Sequence, residues 1–228
     1  MNPGKLGLAP SGRTVPTRTP SQIRKHGIGV PEEIVLAVGA QNVVRTGNRV
    51  FVRPPDESAL AAMLRVAETR GLTLASDQID YRLPLGALRL DLGRFEGIAR
   101  LSEHSLFVEV EAGVRLERLE TMLGAHQLTL GRLHPRALRR TVGAAIARNV
   151  LVRRGIAYGD LDDLCFSIRC LLANGTPLET RAVPRSAAGP EVDRAFVGAR
   201  GRLGIITRAI LRVARITEHR PTLAYVFT

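Results

Sequence analysis

Apolar and polar positions along the first half of the chain switch between a period of two and a period near 3.6. "RVFVRPP" (49–55) alternates and then meets two prolines, which predicts a short strand stopped at Pro54. "DESALAAMLRVAETRG" (56–71) places Leu60, Met63, Leu64 and Ala67 on one side of a helix. Asp56 stands at the cap, Glu57 favours the positive end, and Gly71 closes the helix. "LTLAS" (72–76) and "ALRLDL" (87–92) read as two further strands, so residues 26–92 predict a small α/β lobe.

A second lobe is predicted over residues 93–216. "SLFVEVEAG" (105–113) alternates as a strand ending at Gly113, and "VRLERLETML" (114–123) presents Leu116, Leu119, Met122 and Leu123 on one helical face. "LCFSIRCLL" sets Leu164, Phe166, Ile168 and Leu172 against Ser167 and Arg169; a turn at Asn174 and Gly175 then leads to a partner strand, "TPLETR" (176–181). "DRAFVGARGRLGIITRAILRV" (193–213) gives a glycine-punctuated loop and a long apolar strand. Residues 1–25 are rich in Pro, Gly, Ser and Thr without an apolar period, which predicts a loose arm carrying five basic residues and no acid. No internal repeat is visible.

Composition narrows the classes. The 228 residues suffice for one large domain or two lobes sharing an interface, and 45% apolar with 24% charged residues is ordinary for a globular protein. No stretch approaches the roughly 20 apolar residues of a bilayer span, and the N-terminal sequence lacks a secretory apolar region, so the expected location is cytoplasmic. Cys165 and Cys170, five residues apart on one strand, are expected to face opposite ways and to pack without forming a disulfide. A net charge of +12 raises nucleic acid as a partner. Yet only Lys5 and Lys25 among 33 basic residues are lysines, aromatic content is 4% and Trp is absent, which argues against nucleic acid. His26, His104, His126, His134 and His219 show neither metal-ligand spacing nor a neighbouring nucleophile, so no metal site or hydrolytic triad is expected.

Five motifs then fall in register: "VEVEAGV", "TVGAAIARN", "YGDLDDL", "LLANG" and "GRLGIITRAILRV". Together with the V-R-P strand and its helix, they resemble the PCMH-type FAD-binding domain of the vanillyl-alcohol oxidase and p-cresol methylhydroxylase flavoprotein superfamily. The glycolate and D-lactate oxidase branch is the most similar, over residues 40 to 216. The resemblance implies an α/β (α+β) fold of two lobes, a small α/β lobe and a larger mixed or antiparallel lobe, with FAD extended between them. It also implies that Thr141, Val142 and Gly143 form a turn approaching the dinucleotide with its backbone, where N–H groups at a helix start offer donors to phosphate. Gly131 and Pro135 fall in the preceding loop, and Asn149 ends the turn. Tyr158, Gly159 and Asp163 match a segment beside the flavin ring, and Gly201, Gly204, Ile205, Ile206 and Thr207 match a loop of close cofactor approach.

The chain also departs from this pattern. Where the family has a glycine-rich diphosphate loop, it reads "LASDQIDYRLPLG", with Asp77 and Asp80 where anion donors are wanted. Ala144 replaces the turn's second glycine, whereas Arg132, Arg136, Arg139 and Arg140 offer a compensating basic wall. Residues 217–228 match only the first strand of the family's cap domain, so a second protein subunit is the expected source of the cap. His134 does not match a covalent attachment position, so the expected FAD is noncovalent. Two functional readings follow: a FAD-binding domain or subunit of an alcohol or 2-hydroxy acid oxidoreductase that needs a partner, or a flavin-free relative serving as a binding scaffold.

Overall fold

The computed structural model describes residues 29–47, 49–76, 78, 87–131, 133–150, 164–182 and 191–217. The arm at 1–25, Asp77, Asp80, Arg132, the segment containing Tyr158, Gly159 and Asp163, and residues 218–228 lie outside the described residues.

The expected strand at 49 and helix at 56 form as read. Strand β1 (Val43–Thr46) turns back antiparallel onto β2 (Arg49–Val52), preceded by helix α1 (Glu32–Val38). Helix α2 (Glu57–Arg70) begins at Asp56, whose carboxylate accepts from the Ala59 N–H at 2.9 Å, and ends on Gly71 in the left-handed conformation. Such a cap contributes about 1 kcal/mol. Leu60, Met63, Leu64 and Ala67 are all buried, so the 3.6 period marked the correct face. The next two strands are shorter than read: β3 is Leu74–Ala75 and β4 is Leu88–Leu90. Both β2 and β3 run parallel to β4, giving the order β1-β2-β4-β3.

The larger lobe is an antiparallel sheet with helices on it. Its elements are β5 (Ile98–Ser102), β6 (Phe107–Glu111), α3 (Leu116–Ala125), β7 (Leu128–Thr129), α4 (Pro135–Leu138), α5 (Val142–Arg148), β8 (Cys165–Leu171), β9 (Pro177–Glu179), α6 (Val192–Phe196), β10 (Ile205–Arg212) and β11 (Ala214–Arg215). The sheet order is β5-β6-β10-β8-β9, and β11 pairs separately with β7. Leu116, Leu119 and Leu123 of α3 and Val142 and Ile146 of α5 pack with Val108, Val110, Ile168 and Ile206 of the sheet. Cys165 and Cys170 are buried thiols that form no disulfide, as packing residues. Burial, with the Glu57 charge as a lesser cause, pushes the Cys170 thiol up to about 12.

The two lobes share a core. Leu171 of β8 and Ile205 of β10 leave the large cluster and join Ile34, Val52, Leu60 and Met63 in the small one. A charged clasp reinforces this contact: Glu57 accepts from Arg169 Nε (3.0 and 2.8 Å) and from the Thr207 hydroxyl (3.0 Å). Glu57, then Glu179 at 2.7 Å, hold the Arg169 guanidinium above its ordinary range. Among the described residues, no helix is long and apolar enough to cross a membrane.

Candidate functional site

A cleft of about 550 Å³ opens where the carboxyl ends of β3 and β4 meet the larger lobe. Open α/β sheets bind ligands at that end of parallel strands, and the volume suits a small molecule or cofactor. Strand periodicity positions the first basic group: Leu88 and Leu90 point into the core, so Arg89 between them points out, 5.9 Å over the Phe51 ring. Helix periodicity positions the next two, because Arg115, at the N-cap of α3, and Arg118 lie three residues apart, opposite the buried leucines. Asp91, Glu96, Gly113 and Thr141 also line the cleft.

The acids on these walls are engaged. Asp91 pairs with Arg53 at 2.6 Å, and Glu96 with Arg118 at 3.1 Å. Arg115 donates to the Arg139 carbonyl at 2.9 Å, and Arg89 has its cationic face on an aromatic ring. Among the described residues, three guanidinium groups face two carboxylates, and that part of the lining carries a net positive charge. Gly113 makes the lobe junction possible. A β-carbon there would strike the Leu92 and Phe95 carbonyl oxygens, and its N–H already donates to Phe95 at 2.8 Å.

The turn at 141–144 is built differently from the sequence reading. Its N–H groups are engaged inside the fold: Val142 donates to Val114 (2.9 Å), Gly143 to Ala112 (2.8 Å), Ala144 to the Thr141 hydroxyl (3.2 Å) and Ala145 to the Thr141 carbonyl (3.0 Å). The expected backbone donors to phosphate are thus not available there. A β-carbon at Gly143 would meet Gln78 and Ala112, so packing inside the fold requires glycine there. Gln78 is fully buried. Its amide oxygen accepts from the Ile206 N–H at 2.9 Å and its amide nitrogen donates to the Ile206 carbonyl at 2.8 Å. The segments at 143 and 206 do converge, with Gln78 seated between them.

Of the residues assigned to the cofactor by resemblance, Thr141 alone among those described lines the cleft. Val142 is in the large core, and Ala144 is fully buried, so its methyl does not confront a ligand. Asn149 is the left-handed C-cap of α5. Gly131, with φ of 105°, and Pro135, the first residue of α4, belong to the loop before the turn. Gly201 sits in a turn with φ of 72°, Gly204 backs onto Leu171, and Ile205 is in the small core. Ile206 holds Gln78, and Thr207 is part of the Glu57 clasp. Among the described residues the cleft's arginines are Arg89, Arg115 and Arg118; of the expected basic wall, Arg136 and Arg139 are exposed and do not line it, and Arg139 contributes its carbonyl.

Glu120 steadies the strand leading to this loop. Its carboxylate accepts from the Leu130 N–H at 2.7 Å and the Thr129 hydroxyl at 2.9 Å. Burial raises its pKa above the ordinary carboxylate range, and these two hydrogen bonds only partly oppose the rise.

With the geometry in view, the likeness to known proteins can be placed. A family model described as "FAD binding domain" matches residues 49–181, more than half of the chain. The chain belongs to that family. It is 27% identical over 128 residues to the FAD-linked oxidoreductase YgcU of Escherichia coli (strain K12), covering 56% of this chain and 26% of that protein. It is also 27% identical over 176 residues to a D-lactate dehydrogenase of Archaeoglobus fulgidus, covering 73% of this chain and 39% of the relative. A solved structure of alkyldihydroxyacetonephosphate synthase superposes with a TM-score of 0.65 at 20% identity, over 75% of this chain and 32% of that one. The fold is the PCMH-type FAD-binding fold, and the chain spans well under half the length of these relatives.

FAD is the cofactor of this family. Its diphosphate is anionic, and the cleft supplies a positive lining from Arg89, Arg115 and Arg118, so the donor set present fits that part of the molecule. What the sequence reading missed was where these donors sit. Arg89 is legible as the outward position of an alternating strand, and Arg115 and Arg118 as the polar side of a helix. Nothing in the local pattern sets those two surfaces across one cleft, and no periodicity marks Gln78.

Proposed function

We propose that this chain holds FAD in the interlobe cleft as the cofactor-carrying part of an oxidoreductase acting on an alcohol or a 2-hydroxy acid. Further polypeptide, a second subunit in particular, covers the flavin and contacts the substrate. The observation that supports this reading is the positively lined cleft at the carboxyl ends of β3 and β4. When bound, the flavin accepts a hydride equivalent from the substrate carbon. The chain's own task is to hold and orient: Arg89, Arg115 and Arg118 counter the anionic charge, and Gly113 lets the lobes close on one another. Two buried cysteines that form no disulfide fit a reducing, cytoplasmic setting.

A flavin-free scaffold is the second reading, favoured by Gln78, which occupies the space beside Gly143. One experiment decides between them. Purified protein is mixed with FAD, passed through gel filtration, and its visible spectrum recorded. A retained flavin band is the expected result; a colourless protein overturns the FAD-carrying reading in favour of the scaffold.

A further inference from the structure

The engaged turn leaves a chemical question: which groups meet the two phosphates of a dinucleotide? We propose that Arg89, Arg115 and Arg118 form a nucleotide-diphosphate site in which guanidinium groups, rather than the N–H groups of the turn at 142–145, are the phosphate donors. This inference rests on the FAD-carrying reading for its natural ligand, but the diphosphate chemistry can be tested apart from it.

Three observations carry the assignment. First, Val142, Gly143, Ala144 and Ala145 make their N–H hydrogen bonds within the protein, and Gln78 fills the space beside Gly143, so an anion gains no backbone donors from these four residues. Second, the three arginines reach one cleft from both lobes, Arg89 from the small sheet and Arg115 and Arg118 from α3. Forked guanidinium donors suit phosphate oxygens without requiring a glycine-rich loop. Third, Arg118 is available for exchange, while Arg115 also donates to the Arg139 carbonyl. Among the described residues, Arg118 pairs with the exposed Glu96, with both side chains more than half exposed. Such surface pairs contribute little and yield readily to a dianion. Asp91 is neutralised by Arg53. Phe51, beneath Arg89, adds an aromatic surface to the same wall.

Binding of three probes by calorimetry or fluorescence tests this: FAD, ADP, and riboflavin, which has no phosphate. Wild-type protein is expected to bind FAD and ADP competitively and riboflavin far more weakly, with affinity for the first two falling as salt rises. Arg89→Gln and Arg118→Gln are each expected to weaken ADP binding by about tenfold, the loss of one charge-assisted hydrogen bond. Circular dichroism checks that these variants stay folded, and the salt dependence of the wild type requires no variant.

If FAD binds while ADP does not compete, or if both variants and high salt leave ADP affinity unchanged, the arginine site is overturned and the FAD-carrying reading survives. ADP binding that depends on both arginines without FAD binding has the opposite meaning: the diphosphate site stands and the FAD-carrying reading falls. Failure of the wild type to bind either ligand overturns both.

Discussion

The side-chain amide of Gln78 pairs with both backbone groups of Ile206, 128 residues away, as a neighbouring strand would. A buried primary amide has one acceptor and one donor to offer on a single edge, and an unpaired strand residue has the matching set. The rewritten loop thus sends one residue into the junction of the lobes and satisfies there a backbone position that would otherwise be buried without partners.

Truncating that side chain is therefore costly. Gln78→Ala leaves the Ile206 N–H and C=O unsatisfied and opens a void beside Gly143, and it is expected to lower stability by about 3 kcal/mol. Urea denaturation followed by circular dichroism measures this. A loss below about 0.5 kcal/mol would place Gln78 outside the core.

The two close-approach glycines are expected to resist even a methyl group. At Gly113 the obstacle is backbone, the carbonyls of Leu92 and Phe95. At Gly143 it is Ala112 and the flexible end of Gln78. Gly113→Ala should cost about 3 kcal/mol, while Gly143→Ala should cost less, because a side chain shifts more cheaply than a strand. Thermal melts of the two variants give the ranking, and a reversed order would contradict the packing described.

Glu120 predicts a pH dependence with a definite sign. Burial raises its folded-state pKa above that of an ordinary glutamate, so between the unfolded and the folded value the native state binds more protons than the unfolded state. Stability from this group is full below the unfolded pKa and declines as pH rises through the folded one. Glu120→Gln keeps an acceptor for the Leu130 N–H and can donate to the Thr129 hydroxyl, and it should flatten that decline. Melting temperatures of wild type and variant across the acidic range provide the check; identical pH profiles would remove Glu120 as the cause.

The cysteines offer a direct probe of the sheet. With its thiol pushed up to about 12 and both residues buried, Cys170 and Cys165 should not react with a chromogenic disulfide reagent in the native protein. Both thiols should titrate once urea is added. Rapid reaction of either in the native state would contradict the burial of β8.

Much of the fold was legible because its signals are local. The Asp56 cap, the Leu60 to Ala67 stripe and the Gly71 stop are each decided within one helix, and the structure matches them. Strands β3 and β4 were legible as elements but overextended, because pairing with neighbours, which no local pattern reports, decides how far a strand runs. The candidate site was least legible. Thr141 of the motif lines the cleft, but the N–H donors expected of its turn are held by Val114, Ala112 and Thr141 itself.

The chain's own order of apolar periods, caps and motifs determined the class of fold, its two lobes and the family, since these arise from short-range spacing and from motifs kept in register. Only the tertiary structure decided what the cleft is made of. Arg89 comes from a strand and Arg115 and Arg118 from a helix, and they line one cleft because Gly113 lets the lobes approach and Gln78 fixes the seam. The relation between them is set by packing across residues distant in sequence, a quantity that no window along the chain contains.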